Sequence, residues 1–105
     1  MRDALVRVGD LLGHEYELII GGERVRTTAK IKSLNPSRPE QVVGIHQKAG
    51  AEHADMAVQA ALRAFAVWQY APVEERVSLL LNAAHIIRSR KFEFCAWLVY
   101  EVGKN

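Results

Sequence analysis

The second half of the chain is patterned for long helices. In the segment AEHADMAVQAALRAFAVWQY, residues 51–70, apolar side chains recur at spacings of three and four, which places them along one stripe of a helix. Gly50 is the predicted N-cap, and Glu52 lies in the first turn, where the helix macrodipole favours negative charge. The positions predicted to be buried are Ala54, Ala57, Val58, Ala61, Phe65 and Trp68.

Two further helices are predicted after this one. Pro72 begins the second at its first turn, where a missing N–H costs no hydrogen bond, and the polar RSRK segment at 88–91 marks a break. The third helix covers about 91–102, with Gly103 as its C-cap. The predicted buried positions are Val77, Leu80, Leu81, Ala84 and Ile87 in the second helix, with Leu79 at the margin, and Phe92, Cys95, Leu98, Val99 and Val102 in the third.

The first half of the chain is patterned for strands. The spacing of Leu5, Val8 and Leu12, which places them on one face, predicts a short helix over residues 4–13. In YELIIGGERVRTT, residues 16–28, the pair Gly21-Gly22 separates two apolar runs, as in a tight hairpin. AKIKSL and VVGIHQKA flank the turn segment NPSRPEQ and predict a second hairpin.

These elements predict an α+β arrangement within a single domain of 105 residues. Two N-terminal β-hairpins are followed by three α-helices. The predicted divisions are an N-terminal extension at 1–15, the β-hairpins at 16–49 and the helices at 50–105. Hairpins and helices in this order do not make a closed core, so one face of the chain is expected to meet more protein.

Composition narrows the class of partner and the compartment. The formal net charge is +2, from 14 basic and 12 acidic residues, which argues against a nucleic-acid or membrane partner. The single cysteine, Cys95, has no partner for an internal disulfide and fits a reducing compartment. No apolar run approaches the roughly 18 residues of a membrane span, and the start of the chain is unlike a secretory signal. We expect a soluble cytoplasmic protein.

The reactive side chains have structural explanations. Cys95 lies on an apolar helical face with no predicted base beside it, so we interpret it as a buried structural thiol rather than a nucleophile. Glu74 and Glu75 point about 100° apart on a helix and complement its dipole instead of flanking a substrate. The four histidines lie on different elements without metal-ligand spacing: they are His14, His46, His53 and His85.

The remaining motifs are also interpreted as structural. IIGGER lacks the G-x-G-x-x-G spacing and the following helix of a dinucleotide loop. RSRK is a solvated basic helix end rather than a phosphate site. Trp68 and Trp97 have core spacing, and Lys104 lacks the other residues of a Walker motif. The residues alone therefore predict no catalytic, cofactor-binding or metal-binding residue in this chain.

The order of the motifs nevertheless resembles a known family. IIGGERV, SLNPSRPEQVVG, AVQAALRAFAVW, ERVSLLLNAAHIIRSRKFEF and EVGKN follow one another over residues 16–105. This succession is similar to the start of the aldehyde dehydrogenase superfamily. KSLNPSRPEQVVG, FEF and LVYEVGKN resemble its 1-pyrroline-5-carboxylate dehydrogenase branch, and Val102 and Asn105 depart from the common Thr-Gly-Lys-Pro form in that direction.

The resemblance implies an NAD(P)-dependent enzyme, with NAD expected and NADP an alternative, that oxidises L-glutamate 5-semialdehyde to L-glutamate in proline degradation. In that family the dinucleotide site, catalytic cysteine, general-base glutamate and substrate anchor come later in a much longer chain. The 105 residues are therefore expected to be an N-terminal fragment of a cofactor-binding domain, inactive alone. Its expected partner is the remainder of the parent enzyme, itself a homo-oligomer that acts on a small aldehyde.

Two further points stay open at the level of sequence. Some members of the family hold a structural monovalent cation, and the Leu34 carbonyl and Glu101 would be the corresponding residues here, although we assign no metal ligand. The alternative function is a non-catalytic helical interaction module derived from the same family. Such a module should be monodisperse, whereas a fragment with an orphaned apolar face should aggregate.

Overall fold

The computed structural model describes residues 1–104 and contains four helices and five strands within them. In chain order these are α1 (Arg2–Gly9), β1 (Glu15–Tyr16), β2 (Leu18–Ile20), β3 (Glu23–Val25), β4 (Lys30–Asn35), β5 (Arg38–Gln47), α2 (Ala51–Trp68), α3 (Val73–Ser89) and α4 (Lys91–Val102). None of the helices in this described range combines the length and the apolar character that crossing a bilayer would require.

The strands form a three-stranded sheet and a separate hairpin. The sheet has the order β1–β5–β4, with β5 antiparallel to β4 and parallel to β1. β2 and β3 pair with each other in the hairpin. Gly21 and Gly22 have φ values of 59° and 88°, and two successive positive φ angles are the requirement of a tight two-residue hairpin turn. The glycine pair is therefore confirmed as a turn.

A small core joins the two ends of the chain. Ala4 and Val8 of α1 pack against Ala96 of α4, and all three side chains are buried. The Tyr100 hydroxyl donates a hydrogen bond of 3.1 Å to the Leu5 carbonyl oxygen. Alanine at two of the three positions lets the helices approach closely, so α1 is fixed on α4 by packing and by one hydrogen bond.

Helices α2 and α3 lie largely outside this core. Neither helix contains a buried residue. The radius of gyration is 17.2 Å, whereas a compact chain of this length has about 13 Å. The accessible surface is 8266 Å², compared with about 5,900 Å² for a compact monomer of this mass. The chain therefore folds into a packed unit of α1, the sheet and α4, from which α2 and α3 extend.

The predicted helix boundaries agree closely with the observed ones. Gly50 is the N-cap of α2, and α4 spans the predicted residues 91–102. Gly103 caps α4 in the left-handed conformation, with φ of 64°. α3 begins at Val73, one residue later than predicted, because Pro72 is its N-cap. The last residue of the EVGKN motif, Asn105, lies outside the described residues.

The predicted succession of two hairpins and three helices was incomplete. Both hairpins are present, but α1 adds a fourth helix before them, and β1 adds a strand parallel to β5. β1 has two residues, too few to produce an alternating pattern. α1 covers Arg2–Gly9 rather than residues 4–13.

The prediction that the stripes of α2 and α3 are buried is wrong for this chain. Val58 and Phe65 of α2 are each 56% exposed, and Leu80 of α3 is 73% exposed. In α4 the predicted face is split, since Cys95 and Val99 are half-buried while Phe92, Leu98 and Val102 are exposed. Periodicity identifies the face that needs a partner but not whether the partner belongs to the same chain.

The α1–α4 contact can be tested with Ala96→Leu. A larger side chain at a fully buried position overpacks the contact and costs about 1–3 kcal/mol, so α1 should detach more often. Amide hydrogen exchange in α1 should accelerate while exchange in β4 and β5 changes less. The matched control is Ala66→Leu on the exposed surface of α2. Unchanged exchange in α1 would contradict the assigned contact.

Candidate functional site

The cysteine and the histidines are dispersed over the fold. Cys95 is half-buried on α4 and unpaired. His14 Nδ1 lies 2.8 Å from the Leu11 carbonyl oxygen, and His53 Nδ1 accepts a 3.1 Å hydrogen bond from the Gly50 N–H at the start of α2. His85 lies on exposed α3. Within residues 1–104 no three side chains of histidine, cysteine, aspartate or glutamate come together as a metal site.

The charged motifs take local structural roles. Glu74 and Glu75 lie in the first turn of α3. Arg90 of the RSRK segment forms a bidentate pair with Glu93, with Nε 2.9 Å from Oε2 and Nη2 2.5 Å from Oε1. The hydrogen bonds from Arg90 lower the pKa of the Glu93 carboxyl below its ordinary value. The Arg90 side chain is therefore already paired with a carboxylate of α4.

A dinucleotide does not fit the glycine-rich segment. Gly21 and Gly22 form the turn between β2 and β3, whereas a phosphate-binding glycine loop leads into the N-terminus of a helix. An added Cβ at Gly21 would lie 3.1 Å from the Ala60 Cβ, so this turn packs against α2. The Gly21-Gly22 turn therefore lacks the geometry of a phosphate-binding loop.

A cleft of about 390 Å³ separates the sheet from α4. The Tyr16 and His46 rings stack along one side, with centroids 5.4 Å apart. Gly44 allows their approach, since an added Cβ would lie 3.0 Å from His46 Nε2 and 3.2 Å from Tyr16 Cε2. Trp97 and the Arg90–Glu93 pair form the opposite side. The cleft offers aromatic packing surface, and two of its charged side chains, Arg90 and Glu93, are paired with each other.

Hydrogen bonds around Glu15 fasten β1 to the sheet. Its Oε1 accepts from Lys30 Nζ at 2.6 Å and from Gln47 Nε2 at 2.8 Å. Gln47 is 4% exposed, and its Oε1 accepts from the Thr27 N–H at 2.8 Å. The hydrogen bond from Lys30, followed by that from Gln47, lowers the pKa of Glu15 from its ordinary 4.5.

The most extensive candidate site is apolar. We use the name α2–α3 surface for the apolar side chains of these two helices that are roughly half or more exposed. On α2 the surface comprises Met56, Val58, Leu62, Phe65 and Val67, and on α3 it comprises Val73, Val77, Leu79, Leu80, Leu81, Ile86 and Ile87. Exposed apolar side chains in this number are typical of a protein interaction site. The chemistry that it supports is binding by burial rather than catalysis.

Comparison with known proteins identifies the family. The family model described as "Aldehyde dehydrogenase family" matches residues 24–105. The chain belongs to the aldehyde dehydrogenase family. Among curated relatives, 1-pyrroline-5-carboxylate dehydrogenase 2 of Bacillus subtilis (strain 168) is 52% identical over 103 residues, which cover 98% of this chain and 20% of the relative. 1-pyrroline-5-carboxylate dehydrogenase 1 of Halalkalibacterium halodurans is 52% identical over 102 residues, which cover 97% and 20% of the two chains.

Solved structures of aldehyde dehydrogenases share the conformation described above. A mutant of Thermus thermophilus 1-pyrroline-5-carboxylate dehydrogenase matches with a TM-score of 0.97 at 52% identity, over 99% of this chain and 20% of that one. The enzyme from Thermus with bound NAD matches with a TM-score of 0.96, also at 52% identity and with the same coverage. This aldehyde dehydrogenase chain thus spans about a fifth of the length of the curated relatives that it matches.

Sequence reasoning missed the contacts that connect distant segments of this aldehyde dehydrogenase chain. Tyr16 and His46 lie far apart in sequence, and no local pattern indicates that they stack. Ser33 Oγ donates a 3.2 Å hydrogen bond to Glu101 Oε1. Glu101 is one of the two residues that the family resemblance relates to a structural cation site. The Arg90–Glu93 pair was detectable, because oppositely charged residues three apart on a helix are neighbours.

The Glu15 network predicts acid sensitivity of β1. Because the folded pKa of Glu15 is lowered, its stabilising effect is complete above 4.5 and is lost as the pH falls through the lowered value. In an NMR titration from neutral pH to about pH 3, resonances of β1 and of the adjacent part of β5 should shift in the wild-type chain. In Glu15→Gln this acid-dependent shift should shrink to the part caused by neighbouring Glu17, whose pKa is also lowered by its hydrogen bond from Arg26, whereas Glu23→Gln, outside the network, should retain all of it. Identical titrations of Glu15→Gln and wild type would contradict the role of the carboxylate.

The α2–α3 surface predicts hydrophobic dye binding. The purified chain should enhance the fluorescence of anilinonaphthalene sulfonate and should associate as its concentration rises. The double substitution Leu80→Lys and Leu81→Lys should lower both signals, because it replaces exposed apolar area with charge. His85→Lys, on the polar side of α3, should leave them unchanged. A monodisperse chain that binds no dye would contradict the interpretation and favour a free-standing module.

Proposed function

We propose that this chain is the N-terminal part of an NAD-dependent dehydrogenase that oxidises L-glutamate 5-semialdehyde to L-glutamate in proline degradation. The observation that carries the proposal is the 52% identity over 98% of the chain to a relative named 1-pyrroline-5-carboxylate dehydrogenase. The similar enzyme from Thermus has bound NAD, which supports NAD as the cofactor of the parent enzyme.

The part assigned to these residues is structural. Residues 1–105 contribute a portion of the cofactor-binding domain of the parent enzyme, and the residues that contact substrate and cofactor lie elsewhere in the parent. Support comes from the described side chains: Arg90 pairs with Glu93, Lys30 pairs with Glu15, and the glycine pair forms a hairpin turn. By itself the span is inactive.

The proposal extends to the setting of the parent enzyme. Its partners are the remainder of its own polypeptide, further copies of itself in a homo-oligomer, and a small aldehyde substrate. We assign it to the cytoplasm, and the single cysteine of this span supports a reducing compartment. The exposed α2–α3 surface disfavours the alternative of a free-standing interaction module, because a protein that functions alone rarely leaves so much apolar area in water.

A chimera tests the proposed function. The matching fifth of the Bacillus subtilis relative is replaced by this chain, and NAD reduction is measured with L-glutamate 5-semialdehyde. The chimera should turn over the semialdehyde at a rate within about tenfold of the intact relative, equivalent to less than 1.4 kcal/mol in the barrier. The isolated 105-residue chain should show no turnover.

Two controls sharpen the result. An unrelated simple aldehyde should be a poorer substrate for the chimera than the semialdehyde, and NADP should replace NAD inefficiently. Turnover by the isolated chain would contradict the structural role. A folded chimera that fails to oxidise the semialdehyde would contradict the assignment to this enzyme.

A further inference from the structure

A cavity lies between α1, the turn that joins β4 to β5, and the end of α4. We use the name α4-end cavity for it. Its volume is about 360 Å³, which is within the range of small-molecule sites. Its wall is partly apolar, from Leu5, Val99 and Tyr100, and partly polar, from Ser37, Arg38, Gln41 and Lys104.

Hydrogen bonds and close packing fix the turn that forms one side of the cavity. Asn35 is buried, and its Oδ1 accepts a 2.9 Å hydrogen bond from the Ser37 N–H, as in an Asx turn. Its Nδ2 donates a 2.8 Å hydrogen bond to Gln41 Oε1. The end of α4 lies against the turn, since a Cβ added at Gly103 would lie 3.2 Å from Pro36 Cγ. The two sides of the cavity are therefore held in place.

The charge in the α4-end cavity is positive. Arg38 and Lys104 line it, and no carboxylate does. Within residues 1–104 neither cation takes part in an ion pair, in contrast to Arg24, Arg26, Lys30 and Arg90. The C-terminus of a helix such as α4 contributes about half a negative charge, which is less than the two full positive charges. A negatively charged ligand is therefore favoured.

We propose that the α4-end cavity binds a small organic anion. Its carboxylate or phosphate group bonds Arg38 and Lys104, and its short apolar body packs against Leu5 and Val99. The forked guanidinium of an arginine matches two oxygens of such a group, and a lysine adds a compact charge. This inference goes beyond the proposed function and does not depend on it, because every residue of the site belongs to this chain.

The position of the cavity gives the ligand an effect on the fold. The Leu5 carbonyl oxygen accepts the hydrogen bond from the Tyr100 hydroxyl, so the cavity borders the contact that attaches α1 to α4. A ligand that binds only when α1 is attached stabilises the attached state by mass action. Binding of the anion therefore strengthens the attachment of α1.

An NMR titration of the 105-residue chain at neutral pH and constant ionic strength tests the inference. The probes are butyrate and propyl phosphate, with butyramide as the neutral counterpart. Both anions should shift amide resonances in residues 35–41 and 98–104, whereas butyramide should shift them much less. The anion that binds more tightly identifies the preferred charged group. Amide hydrogen exchange in α1 should slow as the site fills.

Three charge-removing variants locate the bound anion. Arg38→Gln and Lys104→Gln should each weaken binding by about fivefold or more, because each removes one of the two charges in contact with the anion. The matched control is Lys32→Gln, which removes the same charge from an exposed position of β4 outside the cavity. Its affinity for both anions should stay within about twofold of the wild-type value.

Three results would overturn the inference. Equal binding of butyramide and butyrate would show that the cavity recognises only the apolar body. Unchanged affinity in both Arg38→Gln and Lys104→Gln would place the anion elsewhere. A spectrum in which α1 and α4 lack the dispersion of folded segments would show that the cavity does not form, because it exists only while α1 is attached.

Discussion

Packing of α1 on α4 is the contact on which the rest of the described structure depends. Ala4, Val8 and Ala96 are buried together, and the Tyr100 hydroxyl bonds the backbone at Leu5. The sheet is attached to the same unit, because the segment after α1 bonds β5 through the Gly13 N–H to the Val43 carbonyl oxygen. In sequence, α2 and α3 lie between the sheet and α4. They therefore project from the packed unit as one long segment that is attached to it at both ends.

The elements with local signals were predictable from sequence. The bounds of α4 and the caps at Gly50 and Gly103 depend on residues within one turn of each other, and the Gly21-Gly22 turn depends on two residues. β1 was not predictable, because a two-residue strand has no period and its partners lie about 30 residues later. The apolar stripes of α2 and α3 were recognised, but their burial was not a property of this chain.

The difference between features with local sequence signals and features that depend on distant residues also applies to the candidate site. Side-chain chemistry gave no reason to assign a catalytic residue, and the family was recognisable from the order of several weak motifs. The aromatic stack of Tyr16 and His46 and the Ser33–Glu101 hydrogen bond join residues from separate elements. Such pairs become evident only when the fold brings the elements together. The apolar stripes of α2 and α3, in contrast, could be identified from sequence, although the exposure of their side chains could be measured only on the coordinates.

The hydrogen bond between Tyr100 and Leu5 joins residues 95 positions apart, which has a consequence for the order of folding. The β4–β5 hairpin closes through neighbours and can form on a microsecond timescale. Closure of a long loop costs entropy before its contacts compensate. During synthesis, α1 therefore leaves the ribosome long before its docking surface exists, and its attachment to α4 is a late event that must await almost the whole of this span.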